Sequence, residues 1–199
     1  MFLRAMINNV KSFIEGATYH VYNRGNGHDR IFRNPGNYDY FLNKYWEYMS
    51  PHWDTNAWCL MPNHFHFIIT VRPHLNCESV NEKCWRSFAN FCNGYVQAFN
   101  KQHRRRGSLF MRGFRRKLVN DDEYLKTLVC YVHNNPIKDG FVPSAENWHY
   151  SSYKELLHAP PLQYEHNRIL KLFGDHQQLK QDHLLFVSPG SINIPYMAA

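Results

Sequence analysis

Long hydrophobic runs are missing from this chain. No stretch of about 18 apolar residues occurs in it, which excludes a membrane-spanning helix and argues against a membrane partner. Residues 1–14 are interrupted by Arg4, Asn8, Asn9 and Lys11, so the apolar segment of a secretory leader is lacking too. The expectation is a soluble, cytoplasmic protein. Cysteine is scarce: Cys59, Cys77, Cys84, Cys92 and Cys130 are odd in number and form no C-x-x-C pair. That argues against a disulfide framework and for reduced, mostly buried thiols. Internal repeats and low-complexity tracts are absent, which removes solenoids and disordered linkers from consideration. Acidic side chains are outnumbered, 16 Asp plus Glu against 23 Lys plus Arg, a net charge of +7 beside 13 histidines. A surplus of that sign favours a polyanionic partner.

A length of 199 residues suits one domain with a substantial core. We draw it as residues 1–158, with 159–199 as a helical tail packed on the domain or extending it. Residues 18–24 are rich in β-formers and end at Gly25-Asn26-Gly27, a strand followed by a loop. Residues 37–49 place Tyr40, Phe41, Tyr45, Tyr48 and Met49 at helical spacing before Ser50-Pro51. Residues 53–61 and 64–72 read as a hairpin across Met61-Pro62-Asn63. Ser79-Val80-Asn81-Glu82 fits a capping box opening a long helix to about residue 102, with Val80, Cys84, Phe88, Phe91, Tyr95 and Phe99 as its apolar stripe. A fourth strand is expected within 113–119. Asn120-Asp121-Asp122-Glu123 starts a further helix, with Tyr124, Leu125, Leu128, Val129 and Val132 as its buried stripe. Pro136 disfavours helical geometry at Asn135, so that helix is expected to end there. Beyond Gly140 the chain turns polar and aromatic. Pro160-Pro161 breaks it, and 169–173 and 179–186 read as two tail helices. This order predicts an α+β fold, an antiparallel sheet with helices on one face in the ferredoxin-like manner.

Within the hairpin, Phe65, Phe67, Ile69 and Val71 alternate with His64, His66, Ile68 and Thr70. Side chains at i and i+2 of a strand share a face, so His64 and His66 can offer two imidazoles to one ion while the phenylalanines enter a core. Residues 103–117 hold seven of the 23 basic side chains, with Phe110 and Phe114 between them. Such a run is either a solvated loop or a segment that tracks a phosphate backbone. Its glycines and interleaved aromatics favour the second. Tyr131 falls on the edge of the predicted apolar face of its helix, and Asn135 follows at i+4 on nearly the same edge. His133, at i+2, points elsewhere, so the general base is left open. A phenol beside a cation held by two imidazoles and a carboxamide oxygen suits attack on a phosphodiester. An ordinary phenol pKa of about 10 makes positioning the larger part of the effect. Imidazole ligands alone would suit zinc equally.

Four segments in order, residues 58–66, 105–110, 131–140 and 148–153, resemble the signature segments of the REP-associated tyrosine transposases. These are single-tyrosine HUH transposases of the IS200-like family, and the resemblance runs from residue 18 to 153. It implies a ferredoxin-like HUH nuclease fold, with His64, His66 and Asn135 as metal ligands and Tyr131 as nucleophile. It implies Mg²⁺ or Mn²⁺ as cofactor. The implied substrate is single-stranded DNA beside a small imperfect hairpin, a REP-like palindrome of the bacterial nucleoid, cut to leave a 5′-phosphotyrosine and a free 3′-hydroxyl. Candidate DNA contacts, resting on charge, are Arg24, Arg104, Arg105, Arg106, Arg112, Arg115 and Arg116. Asn134 departs from the hydrophobic residue expected there. The alternatives are a domesticated hairpin-binding protein without cleavage activity and a metal-dependent nuclease that uses water. Monomer and homodimer both stay open.

Overall fold

Period-two alternation in two segments sets the architecture. In β1 (Thr18–Arg24) Tyr19 and Val21 face one way and His20 and Tyr22 the other, and in β3 (His64–Val71) the phenylalanines and histidines part in the same manner. A computed structural model describes residues 12–27, 29–73, 79–158 and 164–187; Cys77 and the Pro160-Pro161 break lie outside the described residues. β1 and β3 pair antiparallel with Tyr22 opposite His66. β2 (Trp53–Met61) joins β3 across the Pro62-Asn63 turn, and β4 (Arg115–Val119) joins the other side of β1, giving the order β2-β3-β1-β4. With one helix between β1 and β2 and another between β3 and β4, this is the ferredoxin-like arrangement.

On one face, α1 (Pro35–Met49) and α2 (Val80–Gln102) cover the sheet with a core of aromatic rings. Phe41, Tyr45 and Met49 of α1 and Cys84, Phe88, Phe91, Tyr95 and Phe99 of α2 are all buried against Phe65, Phe67 and Ile69. Each fully buried ring contributes roughly 2–3 kcal/mol by the area it removes from water. Helices were expected on that face alone, and this is corrected: α3 (Asp122–Lys138), α4 (Tyr153–Leu157), α5 (Tyr164–Phe173) and α6 (His176–Phe186) build a second layer on the other face. The reason lies in the strands. Ala57, Cys59, Met61 and Ile68 are apolar on the side opposite the phenylalanines and need cover of their own.

Three local expectations also change. Helix α1 begins at Pro35, because Asn34 accepts the Asn37 N–H at 3.1 Å and proline suits the first helical position. At the start of α2 the capping box does not form; the Ser79 carbonyl, not its hydroxyl, accepts the Glu82 N–H at 3.0 Å. Helix α3 runs through Pro136 to Lys138. Proline cannot donate to the Val132 carbonyl, but the Asn135 carboxamide folds back and donates to the Tyr131 and Val132 carbonyls at 2.9 and 3.4 Å. That side chain supplies the donor the ring lacks, and the last turn survives.

The segment at 150–152 closes the exposed edge of β2. Leu60 N–H donates to the Tyr150 carbonyl at 2.8 Å, Ser152 N–H to the Trp58 carbonyl at 3.0 Å, and Trp58 N–H to the Ser152 hydroxyl at 2.8 Å. Edge strands left open invite pairing with other chains. The four described cysteines are free thiols, and among the described residues no helix is long and apolar enough to cross a membrane.

Candidate active site

The end of β1 must be glycine for the site to close. Gly25 N–H donates to the Asn63 carbonyl at 2.7 Å, and a Cβ built on Gly25 would fall 2.2 Å from the Asp29 carbonyl oxygen. Arg24 then accepts the Met111 N–H at 2.9 Å, and Gly25 bridges to Phe110. Thus the basic segment is carried alongside the histidine strand.

A cleft at that point is lined by Arg24, Asn63, His64, His66, Tyr131, Asn135, Lys138 and Asp139, about 200 Å³ in volume. All four side chains proposed from the sequence to do chemistry therefore meet within one chain. Tyr131 is 6% exposed, and its ring stands edge-on to that of His66, centroids 5.8 Å apart. The Asn135 carboxamide influences both the His64 ring, whose pKa it raises, and the Tyr131 phenol, whose pKa it lowers. Burial, with the Asp139 carboxylate adding to it, pushes the Tyr131 phenol up to about 12, against the opposing bond from Asn135. Burial likewise lowers His64, with Arg24 in the same direction and Asp139 opposing, and holds His66 well below the usual imidazole value, His20 and His64 adding to the effect. Both shifts favour the neutral imidazole, the form that binds a metal.

His64 Nδ1 lies 2.8 Å from Asn63 Oδ1; with the proton on Nδ1 donated to that acceptor, Nε2 would offer a lone pair. His66 Nδ1 lies 2.9 Å from His20 Nε2, while His66 Nε2 is buried with no hydrogen-bond partner among the described residues. A buried imidazole nitrogen without a partner is costly unless something occupies it. Among the described residues no group of three or more His, Cys, Asp or Glu that could hold a metal gathers; the donors expected from the sequence, two imidazoles and a carboxamide, all line the cleft. That set fits: it leaves coordination positions open for phosphate oxygens.

The arginines divide. Arg24, Arg112 and Arg115 line an adjoining cleft with Tyr22, Asn23, His64 and His66. Arg104 and Arg106 are exposed on the loop after α2, Arg104 with a left-handed φ of 50°. Arg105 turns inward instead: it pairs with Asp29 and donates to Asn100 Oδ1 at 3.2 Å and to the Gly107 and Ser108 carbonyls at 3.3 and 2.8 Å. Arg116 packs over the rings of Phe13, Trp85 and Phe114 at 4.6, 5.3 and 5.9 Å. Consecutive residues of a strand face opposite ways, so Arg115 and Arg116 cannot both reach the histidine face.

The remainder of α3 faces the tail. His133 Nε2 lies 2.9 Å from Ser152 Oγ, His133 Nδ1 lies 2.9 Å from His183 Nε2, and His183 Nδ1 donates to the Leu179 carbonyl at 2.7 Å. Asn134, the departure from the expected apolar residue, donates to the His183 carbonyl at 3.1 Å. Its polarity thus serves the docking of α6. Burial holds His183 down to about 4, against the Leu179 carbonyl and Asp182, which raise it. A base whose folded pKa lies below its unfolded value of about 6.5 contributes stability that is fully present above pH 6.5 and lost as pH falls toward 4. The expected loss is about 3 kcal/mol by pH 4. Urea unfolding at pH 7 and pH 4.5 checks it: the midpoint falls in wild type and falls less in His183→Phe, and an equal fall in both would remove His183 as the cause.

Sequence reasoning missed His20, Asn63, Lys138 and Asp139. Asn63 and Asp139 were legible in part, one preceding the first histidine and the other four residues beyond Asn135 on the same helical edge. His20 was not, because only strand register brings it to His66.

The family model described as "Transposase IS200 like" matches residues 14–135. A Haemophilus influenzae protein named as a REP-associated tyrosine transposase is 26% identical over 129 residues, 61% of this chain and 72% of that protein. A solved REP-associated tyrosine transposase bound to a REP hairpin superimposes with a TM-score of 0.59 at 17% identity, covering 74% of this chain and 82% of that one. At that identity the likeness speaks for the fold. The family match spans more than half of the chain, from just before the first strand to the asparagine that lines the cleft, and on that ground the chain belongs to the IS200-like transposase family.

Proposed function

We propose that this protein cleaves and rejoins single-stranded DNA beside a hairpin, with Tyr131 as the attacking group. One observation carries the reading: the Tyr131 ring opens on the same cleft as His64, His66 and Asn135, within a single chain. The phenol oxygen bonds to phosphorus and the bond from phosphorus to the 3′ oxygen breaks. The phenolic proton leaves, the departing 3′ oxygen gains one as a hydroxyl, and the 5′ phosphate stays on Tyr131. Because the ester energy is retained, a 3′-hydroxyl can later attack that linkage and restore a continuous strand.

His64, His66 and Asn135 would hold Mg²⁺ or Mn²⁺, which when bound stabilises the charge that grows on the phosphate oxygens. Burial of the Tyr131 ring, with Asn135 beside it, would hold the attacking oxygen in place at the cleft. Arg24, Arg112 and Arg115 flank the histidines and would steer the phosphate backbone past the cleft, with Arg104 and Arg106 reaching outlying phosphates. The solved family-like structure with a bound REP hairpin supports hairpin DNA as the partner.

The test is a 3′-labelled strand carrying an imperfect palindrome, incubated with protein and Mn²⁺ and run on a denaturing gel. Label migrating with the protein, abolished by EDTA, is expected. Binding without adduct in either metal would instead favour a domesticated hairpin-binding protein, and free cleaved product without adduct a water-using nuclease. Arg112→Ala and Arg115→Ala should each weaken binding and lower the salt slope by about one. Arg105→Ala should leave that slope unchanged, because its guanidinium is engaged with Asp29; a drop as large as that for Arg112→Ala would mean that Arg105 meets the phosphate backbone as well.

A further inference from the structure

Antiparallel register places Tyr22 of β1 opposite His66 of β3, and His20, two residues earlier on the same face, opposite Ile68. Diagonal neighbours across a strand pair are within reach of large rings, and here three rings line up. Tyr22 stacks on His20 at 4.6 Å and 23°, and His20 on His66 at 5.0 Å and 20°. His20 and His66 are buried, 1% and 3% exposed, and bond to each other through His20 Nε2 and His66 Nδ1 at 2.9 Å. The two outward nitrogens, His20 Nδ1 and His66 Nε2, have no hydrogen-bond partner among the described residues.

We propose that His20 is a positioning residue for the cation site: it holds the His66 ring by Nδ1 and, by accepting that proton, leaves Nε2 as the nitrogen that meets the cation. The proposal rests on the metal-dependent reading above. With both rings neutral, each carries one N–H, and the pair has two arrangements. In one, His66 Nδ1–H donates to His20 Nε2; His66 Nε2 then offers its lone pair and His20 is protonated on Nδ1. In the other, His20 Nε2–H donates to His66 Nδ1, and His66 Nε2 carries a hydrogen that blocks any ligand bond. Each arrangement strands one buried N–H and one lone pair, so hydrogen-bond count alone favours neither. A cation on His66 Nε2 is compatible only with the first, and binding therefore selects it. Metal-ligating histidines are commonly held through their second nitrogen by a carboxylate or carbonyl. Here a second imidazole takes that place, and its own tautomer must change with the ligand's.

Two measurements on the full chain test this. In protein with ¹⁵N-labelled histidine, long-range ¹H–¹⁵N spectra are expected to show His66 protonated on Nδ1 and His20 on Nδ1 when Mg²⁺ is added. His66 remaining protonated on Nε2 with Mg²⁺ bound would overturn the proposal. Separately, free Mn²⁺ is counted by electron paramagnetic resonance during titration. His20→Phe keeps a ring in the stack but cannot accept the proton, and is expected to weaken Mn²⁺ by about 10-fold or more. His20→Gln, whose amide oxygen can accept it, should restore affinity to within about 3-fold of wild type. Wild-type affinity in His20→Phe would overturn the role of His20 alone. Absence of any Mg²⁺ or Mn²⁺ binding in wild type would overturn the metal-dependent reading and the proposal with it.

Discussion

Tyr131→Phe is expected to abolish the covalent protein–DNA adduct and to lower strand cleavage by at least about 1,000-fold, while hairpin affinity changes by less than about 2-fold. The substitution removes one oxygen and keeps the ring that stands edge-on to His66 at 5.8 Å, so packing of α3 on β3 is retained. It removes the only atom to which phosphorus would bond. Denaturing gels of 3′-labelled substrate read the adduct, and gel shifts of the same DNA read binding. An adduct that persists in Tyr131→Phe would take this tyrosine out of the chemistry, and the cleft would need another nucleophile.

The second large effect concerns stability. Phe41 is fully buried, and its ring lies 4.8–6.4 Å from those of Phe32, Phe65, Phe67, Phe91 and Tyr95. Phe41→Ala is expected to cost about 3–5 kcal/mol, the lost transfer energy plus the cavity left between two helices and the sheet. Leu185→Ala, at a side chain 65% exposed, should cost less than about 0.5 kcal/mol. Urea unfolding measures both. Phe65 and Phe67 alternate with the histidines, so the collapse of this core also loosens the strand that presents them, and Mn²⁺ affinity should fall with the folded fraction. A loss below about 1 kcal/mol in Phe41→Ala would mean that the ring cluster is not the main support of that face.

Period two was enough to separate Phe65 and Phe67 from His64 and His66, and period 3.6 to place Phe88, Phe91, Tyr95 and Phe99 along one stripe, because both depend only on local backbone geometry. The same local reasoning failed at Pro136. A rule about the residue before proline could not know that the Asn135 side chain would bond the carbonyls of its own helix. It failed again for the basic run, where seven charges looked alike. Asp29 lies 76 residues from Arg105, and nothing local says that one arginine in a run will turn inward to meet it.

What the sequence determined by itself was the identity and local facing of the candidate groups: two imidazoles on one side of a strand, a phenol and a carboxamide on one edge of a helix. Only the tertiary structure decided that they share a cleft. Ala57, Cys59, Met61 and Ile68 make the sheet apolar on its second side, α3 must cover that surface, and covering it brings Tyr131 against His66. Register decided the rest, since pairing Tyr22 with His66 is what places His20 behind the His66 ring, and register is fixed by which face of each strand is buried.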